Sequence, residues 1–242
     1  RAYGHAVNLA REAGFDAVEI HAGHGYLISQ FLSPYTNRRK DCFGGSLENR
    51  MHFMDMVMQE VMKAAGTDMA VLVKVNMRDG FRGGMEMDET MQVAKRLEQS
   101  GAHALVLSGG FVSKAPMYVM RGQMPIHSMT HYMNCWWLKY GVRMVGKWMI
   151  PTVPFKEAYF LEDALKFRAE IKMPLVYVGG LVSREKIDEV LNDGFEAVQM
   201  ARALLNEPGF VNRMREEEKA ICNCKPVSYT HLRAHETGAY LV

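Results

Sequence analysis

Five short apolar runs divide the chain, and longer stretches with the apolar spacing of amphipathic helices separate them. The runs are residues 15–20, 70–76, 102–107, 174–178 and 195–200, and helices are predicted at 2–13, 46–66, 88–101, 157–171 and 183–194, with a last one opening at Asn206. Ser46, Asp88 and Ser183 are the predicted N-caps. Nearly continuous apolar runs are typical of buried parallel strands. The alternation therefore predicts an α/β protein with a parallel sheet covered by helices.

Two parallel architectures satisfy this alternation, an open doubly wound sheet and a barrel. Polar candidate site residues follow nearly every predicted strand, which favours the barrel, because an open sheet would concentrate them at one switch point. A complete TIM (β/α)8 barrel needs eight strand–helix units, and five are visible. About 90 to 100 residues would therefore precede Arg1. We therefore predict an incomplete TIM (β/α)8 barrel.

Residues 111–155 are predicted to form a long irregular segment. They hold all three tryptophans of the chain and many methionines. A connection of this length inside an α/β protein is usually a lid or binding loop, and its aromatic content disfavours disorder. Most of the other methionines fall at helical core positions, where gap-filling is their expected role.

Composition narrows the class of protein. The 242 residues are 48% hydrophobic and 23% charged, with a formal net charge of +2. This balance argues against a nucleic-acid partner, which would require a strongly basic face. No run is long enough to span a membrane, and the first ten residues lack the apolar core of a signal peptide, so no membrane partner is expected. The four cysteines lack disulfide-framework spacing, which predicts a reducing, cytoplasmic location.

The two ends of the sequence look unusual. Arg1 is not a start methionine and lies beside a predicted helix. Residues 227–242 have neither helical nor strand periodicity and resemble the translated read-through of a sequencing adapter. We therefore expect residues 1–226 to form the C-terminal part of a barrel and 227–242 to be a non-native tail. His231 and His235 are not counted as candidate ligands.

His21, His24 and Tyr26 form the first candidate site. They directly follow the apolar run at 15–20. Polar residues just past the carboxyl end of a parallel strand are usually functional. Three groups that donate or shuttle protons within six residues favour a catalytic site over isolated structural histidines.

A second candidate site follows the fourth and fifth runs, at Gly180 and at Ala201-Arg202. Glycine allows backbone N–H groups to approach a phosphate closely, and arginine binds phosphate through two parallel hydrogen bonds. In a barrel the last two strand–helix loops frequently bind phosphate. The alternative is a tight turn beside an exposed arginine.

Lys74 interrupts the apolar run at 70–76, and a buried lysine is costly unless it is paired. It could stabilise negative charge on a cofactor ring or a substrate, or reach solvent at the strand exit. Arg78 and Asp79 could instead form an ion pair with each other. Cys222 and Cys224 alone are too few to predict a metal site.

The opening stretch resembles the old yellow enzyme family of NADH:flavin oxidoreductases and FMN-dependent ene-reductases. The resemblance is carried by Glu19-Ile-His-Ala-Gly-His-Gly-Tyr-Leu, Gln30-Phe-Leu-Ser-Pro, Thr36-Asn-Arg and Phe43-Gly-Gly-Ser-Leu-Glu-Asn-Arg. It implies a TIM barrel of which strands four to eight are present, FMN as cofactor, NAD(P)H as reductant and an α,β-unsaturated carbonyl (an enone or enoyl compound) as substrate.

The same resemblance implies roles for individual residues. His21 and His24 would bind the substrate carbonyl oxygen, and Tyr26 would donate the proton to Cα. Lys74 would lie beside the flavin, where the family usually has arginine. Gly180, Ala201 and Arg202 would bind the FMN phosphate, Ala201 replacing the usual glycine. The long segment at 111–155 would be a lid over a bulky apolar substrate.

Two alternatives remain at this point. The chain could be the barrel of an iron–sulfur flavoenzyme, such as a 2,4-dienoyl-CoA reductase or an amine dehydrogenase, with a 4Fe-4S cluster in the complete protein. It could also be a non-functional truncated product, since an incomplete barrel exposes unpaired sheet edges. The chain by itself is expected to be inactive and to bind FMN poorly.

Overall fold

The computed structural model describes residues 1–122, 126, 130–131, 133–149 and 153–224. The chain divides into two compact units. Unit one comprises Arg1–Val119, Phe160–Gly179 and Glu189–Gln199, and unit two comprises Met120–Tyr159, Gly180–Asp188 and Met200–Val242. The predicted tail at 227–242 lies outside the described residues.

Unit one is built on a parallel five-stranded sheet whose order follows the chain. The strands are β1 (Ala17–Ala22), β2 (Ala70–Asn76), β3 (Ala104–Ser108), β4 (Leu175–Val178) and β5 (Ala197–Gln199). The register sets His21 beside Lys74 and Asn76 beside Ser108. The predicted strands, their parallel direction and the α/β class are confirmed, with boundaries that shift by at most two residues.

Helices connect the strands. They are α1 (Ala2–Glu12), α2 (Leu27–Leu32), α3 (Leu47–Ala65), α4 (Met87–Gln99), α5 (Pro116–Met120), α6 (Trp136–Met149), α7 (Leu161–Glu170), α8 (Arg184–Asn192), α9 (Arg202–Asn206) and α10 (Phe210–Glu216). None of the helices in the described part of the chain is long and apolar enough to cross a membrane.

The sheet of unit one is strongly curved. The side-chain amide of Gln199, on the last strand, donates a hydrogen bond of 3.1 Å to the Glu19 carboxylate on the first strand. A flat five-stranded sheet would hold these strands about 19 Å apart, since neighbouring strands lie about 4.8 Å apart. The concave face therefore brings polar side chains of β1 and β5 into contact.

Burial alternates along most of the strands. In β2 the fully buried Val71 and Val73 flank the half-buried Leu72, whereas β3 is buried at every residue. The core role expected of the methionines is confirmed for a set that is at least nine-tenths buried: Met51, Met54, Met58, Met69, Met77, Met85, Met91, Met117 and Met173.

The predicted N-caps fare differently. Ser46 accepts a hydrogen bond from the Asn49 N–H of α3, and Ser183 accepts one from the Lys186 N–H of α8, so both are confirmed. Asp88 is wrong as a cap, because the extended residue before α4 is Glu86. Asp88 instead occupies the first helical turn, where its negative charge complements the helix dipole.

Several other boundaries correct the sequence prediction. Residues 111–155 are not irregular throughout, because they contain α5 and α6. The helix predicted from residue 157 begins at Leu161, after Ala158 adopts a positive φ of 52°. The helix predicted to open at Asn206 begins only at Phe210, as α10, and residues 207–209 separate it from the short α9, which ends at Asn206. Helix α2 was not predicted.

A buried arginine anchors α2. Arg50, 3% exposed, donates hydrogen bonds to the Leu32 carbonyl at the end of α2 and to the Glu89 carboxylate on α4. A buried cation is tolerated only when it is paired and hydrogen-bonded. Arg50 therefore fixes the end of the segment that follows the two histidines.

Candidate active site

The candidate site of unit one lies at the carboxyl ends of three neighbouring strands. The β1 strand supplies His21 and the loop that contains His24, β2 ends at Asn76, and β3 ends at Ser108. The carboxyl ends of parallel strands share one edge of the sheet, which is where α/β proteins place their sites. The chain therefore gathers these side chains at one place.

His24 is fixed on all sides. Its backbone N–H donates to the Asn76 side-chain oxygen at 2.9 Å, its carbonyl accepts from the Val112 N–H at 3.1 Å, and its Nε2 lies 2.8 Å from the Ser108 hydroxyl. Its φ of 58° is in the left-handed region, which side chains other than glycine rarely adopt. Such strain persists where the surroundings over-determine the conformation, and it is common at functional sites.

A buried carboxylate, Asp79, holds the residues that position His24. Asp79 is completely buried and accepts hydrogen bonds from the Ser33 hydroxyl at 2.6 Å, the Asn76 amide at 3.0 Å and the Met85 N–H at 2.8 Å. Asn76 in turn holds the His24 backbone. The network thus connects the end of α2, the end of β2 and the histidine loop.

The three candidate side chains form one cluster. The ring of His21 lies 5.0 Å from the ring of His24, in an edge-to-face arrangement, and 5.0 Å from the ring of Tyr26. Tyr26 precedes α2 and is 56% exposed, so its phenol is open to an approaching molecule. The structure brings together all three residues of the first candidate site.

Both imidazoles are held in the neutral form near pH 7. Burial lowers the pKa of His21, and the cation of Lys74 lowers it further. The pKa of His24 is lowered to about 4, first by burial and then by His21 and Lys74. A neutral imidazole carries one N–H donor and one acceptor. The cluster can therefore donate hydrogen bonds to a substrate oxygen without bringing a net charge.

One polar atom of the cluster has no partner. The Nδ1 atom of His21 is buried and makes no hydrogen bond within the described residues. A buried polar atom left unsatisfied costs roughly 1–3 kcal/mol, so such atoms are uncommon outside functional sites. His21 is therefore suited to bind a polar group of a ligand.

Lys74 is paired inside the protein. Its ammonium lies 2.7 Å from the Glu19 carboxylate, and the Lys74 side chain is 16% exposed. The predicted ion pair between Arg78 and Asp79 is wrong. Arg78 instead binds Asp163 at 2.8 Å and Glu86 at 2.9 Å, because Asp79 is enclosed by its three neutral donors.

The second candidate group lies in unit two, around Tyr159. The Arg202 side chain hydrogen-bonds the Tyr159 phenol, whose pKa is raised by burial against the opposing effect of Arg202 and Arg121. The Arg121 guanidinium stacks 4.8 Å from the centre of the same ring. Gly180 also packs on Tyr159, with a φ of 69°. The structure thus brings Gly180 and Arg202 to one aromatic ring.

This group fits an anionic phosphate, as FMN carries. A Cβ at position 180 would lie 2.6 Å from the Tyr159 ring and 2.9 Å from the Phe155 ring, so only glycine allows this close approach of the backbone. Ala201 directly precedes α9 and Arg202 is its first residue. Arginine and backbone N–H groups are the usual donors to phosphate.

The cysteines add no metal site that the structure describes. Cys222 and Cys224 are both buried. Among the described residues, no group of three or more His, Cys, Asp or Glu side chains could hold a metal ion.

Sequence reasoning missed Asn76, Ser108 and the role of Asp79. The signal was present for two of them, since Asn76 and Ser108 are polar residues that end apolar runs, as His21 does. Asp79 could not be found this way, because its enclosure depends on Ser33, which lies 46 residues away in the sequence.

Comparison with known proteins defines the class. The profile of the NADH:flavin oxidoreductase / NADH oxidase family matches residues 1–144. The chain belongs to this family, and the resemblance to the old yellow enzyme family is confirmed. It is 38% identical to a 4,4'-dithiodibutanoate disulfide reductase of Rhodococcus erythropolis over 241 residues, which cover 97% of this chain and 60% of that protein.

Solved structures share the fold. The old yellow enzyme homologue of Zymomonas mobilis matches with a TM-score of 0.63 and 23% identity, over 94% of this chain and 53% of that one. A 2-naphthoyl-CoA reductase matches with a TM-score of 0.70 and 21% identity, over 92% of this chain and 30% of that one. The chain thus spans about half or less of the length of these structures, and 60% of the Rhodococcus relative.

Proposed function

We propose that the chain is the C-terminal part, strands four to eight, of a flavin-binding TIM barrel in an FMN-dependent NAD(P)H oxidoreductase that reduces activated C=C bonds. The cluster of His21, His24 and Tyr26 carries this proposal. Its two neutral imidazoles and one open phenol suit a carbonyl compound that needs hydrogen-bond donors at oxygen and a proton at carbon.

Each residue of the cluster has its own role in the proposed reaction. His21 and His24 donate hydrogen bonds to the carbonyl oxygen, which becomes more negative as hydride adds at Cβ. Tyr26 then donates its phenolic proton to Cα, and solvent restores that proton. Reduced FMN, when bound, supplies the hydride. Asn76 and Asp79 keep His24 in its strained position, so that the donors do not have to reorganise during the reaction.

The proposed flavin contacts are those that the family resemblance implies. Gly180, Ala201 and Arg202 would bind the phosphate, and Lys74 would lie near the flavin ring. The Glu19 carboxylate beside Lys74 would offset part of its positive charge. The 242-residue chain alone is expected to bind FMN weakly and to be inactive, which titration of the chain with FMN tests directly.

The decisive variant is Tyr26→Phe. General acid catalysis contributes about 100- to 10,000-fold, so we expect kcat for a cyclic enone to fall by at least about 100-fold. NAD(P)H oxidation by O2, which needs no proton at carbon, should change little. The measurement is NAD(P)H consumption with each acceptor by the flavin-loaded protein expressed from its complete gene.

The matched control is Tyr3→Phe, which removes a phenolic hydroxyl from α1, outside the cluster. This variant should keep the parent rate with both acceptors. Enone reduction at the parent rate by Tyr26→Phe would show that Tyr26 is not the proton donor.

A second candidate function is the reduction of an organic disulfide. The Rhodococcus relative, by its name, reduces 4,4'-dithiodibutanoate, and it is similar over 97% of this chain. Here one NAD(P)H and one proton convert R–S–S–R into two thiols, and Tyr26 would protonate a departing thiolate. A thiolate is a good leaving group, so Tyr26→Phe should affect the disulfide much less than the enone.

An iron–sulfur flavoenzyme is the third candidate. The fold likeness to a 2-naphthoyl-CoA reductase of which the chain covers 30% supports a larger whole protein. A 4Fe-4S cluster would need cysteines beyond Cys222 and Cys224. Iron and sulfide analysis of the protein from its complete gene tests this candidate.

A further inference from the structure

Helix α6 presents a broad apolar face to solvent. The exposed fractions are 72% for Trp136, 64% for Trp137, 61% for Tyr140 and 79% for Met144. At about 100° per residue these four positions fall within an arc of about 100° on one side of the helix. Single exposed apolar residues are ordinary, but a contiguous group with two indoles indicates an interaction surface.

The sequence of α6 and its flanking residues carries charge of one sign. Residues 99–156 contain no Asp or Glu but six basic residues, which leaves 23 basic against 27 acidic residues in the rest of the chain. Two of the six, Lys139 and Arg143, lie on α6 along one flank of its aromatic face. Because the chain as a whole is nearly neutral, the excess of positive charge in this segment favours an anionic partner.

Local contacts keep the aromatic face outward. Lys139 donates to the His131 carbonyl at 3.2 Å, and Arg143 donates to the Thr130 hydroxyl at 2.9 Å. Gly146, on the same side, is buried against Ile126. The basic flank of α6 therefore packs next to Ile126, Thr130 and His131, and the indoles point away from these residues.

We propose that α6 binds the surface of an anionic lipid bilayer, lying along it with Trp136, Trp137, Tyr140 and Met144 inserted at the headgroup level. Tryptophan and tyrosine favour the membrane interface, and basic residues at the edge of an apolar face meet anionic headgroups. A protein partner of matching chemistry would need its own acidic and apolar groove, whereas an anionic bilayer supplies both properties. Peripheral binding does not require a spanning helix.

This inference is independent of the proposed oxidoreductase activity. It also gives the segment at 111–155 a different role from a lid over the substrate. The two roles predict different results, because a lid acts on substrate choice and a membrane contact does not.

Intrinsic fluorescence is a direct probe. The only three tryptophans of the chain, Trp136, Trp137 and Trp148, all lie in α6. Vesicles of equal parts phosphatidylcholine and phosphatidylglycerol should shift the emission to the blue and reduce quenching by acrylamide. Each basic residue near an anionic surface contributes about fivefold, so binding to phosphatidylcholine alone should be at least roughly tenfold weaker. Added salt should weaken binding to the anionic vesicles.

The variant Tyr140→Gln/Met144→Gln removes two inserted side chains that are mostly exposed in the protein, so folding should be unaffected. Affinity for the anionic vesicles should fall on the order of 100-fold, since each buried apolar side chain contributes roughly tenfold. The matched control is Leu9→Gln/Phe15→Gln, which changes two residues that are 52% and 64% exposed in unit one. It should bind within about twofold of the parent.

Three results would overturn the proposal. The first is an unchanged emission with anionic vesicles, and the second is an equal loss of affinity in the two double variants. The third is concentration-dependent self-association, seen by sedimentation without lipid, that Tyr140→Gln/Met144→Gln abolishes, because a second copy of the chain would then cover the face. Loss of vesicle binding only in the α6 variant supports it.

Discussion

At the scale of single residues, His24 links conformation to chemistry. Its positive φ is maintained by Asn76, Val112 and Ser108, and the same enclosure that holds the backbone lowers the pKa of the ring to about 4. Desolvation disfavours the imidazolium, and the neighbouring Lys74 cation acts in the same direction. Position and protonation state therefore have one cause, which is burial at the end of β1.

The lowered pKa of His24 predicts a loss of stability in acid. Above about pH 6.5 the residue is neutral in both states, so its contribution is constant. As the pH falls from about 6.5 through 4, the unfolded chain binds a proton that the folded chain does not, and the folded state loses up to about 3 kcal/mol. Urea unfolding between pH 7 and pH 4 measures this slope.

The variant His24→Asn should flatten that slope by close to one proton, because asparagine does not titrate. The control Asn8→Ala changes a residue of α1 that does not titrate, and it should retain the parent slope. A slope that is identical in His24→Asn and the parent would contradict the low pKa.

At the scale of elements, the turn from β1 to α2 decides where Tyr26 lies. Gly25 has a φ of 82°, and a Cβ there would lie 2.4 Å from the ring of Phe111. The Gly25 N–H donates to the Ser29 hydroxyl and its carbonyl accepts from the Gln30 side chain. The turn is therefore held by the Phe111 ring, which packs against Gly25, and by the hydrogen bonds of Gly25 to two side chains of α2.

The variant Gly25→Ala should be much more destabilising than Gly45→Ala. Gly45 has a similar φ of 84° but no atom within 4 Å of an added Cβ. Both variants pay the backbone cost of about 1–2 kcal/mol, and only Gly25→Ala adds an overpacking cost of about 1–3 kcal/mol. Urea midpoints of the two variants measure the difference. Equal midpoints would mean that Phe111 moves aside freely.

The strands of this protein could be predicted from the sequence, whereas two of its helices could not. The strands were predictable because each is a short apolar run between two helical patterns, although only β3 is buried at every residue. Helix α2 was not, because its six residues follow the unusual His24-Gly25 turn rather than a capping sequence. In α6 the apolar face is turned to solvent, so its pattern could not be interpreted by the assumption that apolar residues face a core.

The cluster of the first site was predictable for a similar reason. His21, His24 and Tyr26 are close in sequence, so a single strand end brings them together. The second group depends on Tyr159 packing with Gly180 and Arg202, which are distant in sequence. Family resemblance suggested that pairing, whereas the aromatic ring between them required the structure.

At the scale of the whole molecule, burial is uneven between the elements. The central strands β2 and β3 have neighbours on both sides, and Val71, Val73, Leu105 and Leu107 are 0% exposed. Helix α6 is exposed along most of its length, and a helix of its 14 residues is marginal in water without tertiary packing. Local opening follows burial, so the two regions should differ widely in the free energy of opening.

Amide hydrogen exchange should reveal this difference. We expect the amides of β2 and β3 to exchange at least roughly a hundredfold more slowly than those of α6 when the protein is free in solution. Anionic vesicles should slow exchange in α6 alone, because an inserted face restricts opening of that helix and leaves the sheet unchanged. Exchange in α6 as slow as in the sheet, without any lipid, would mean that another surface already covers its tryptophans.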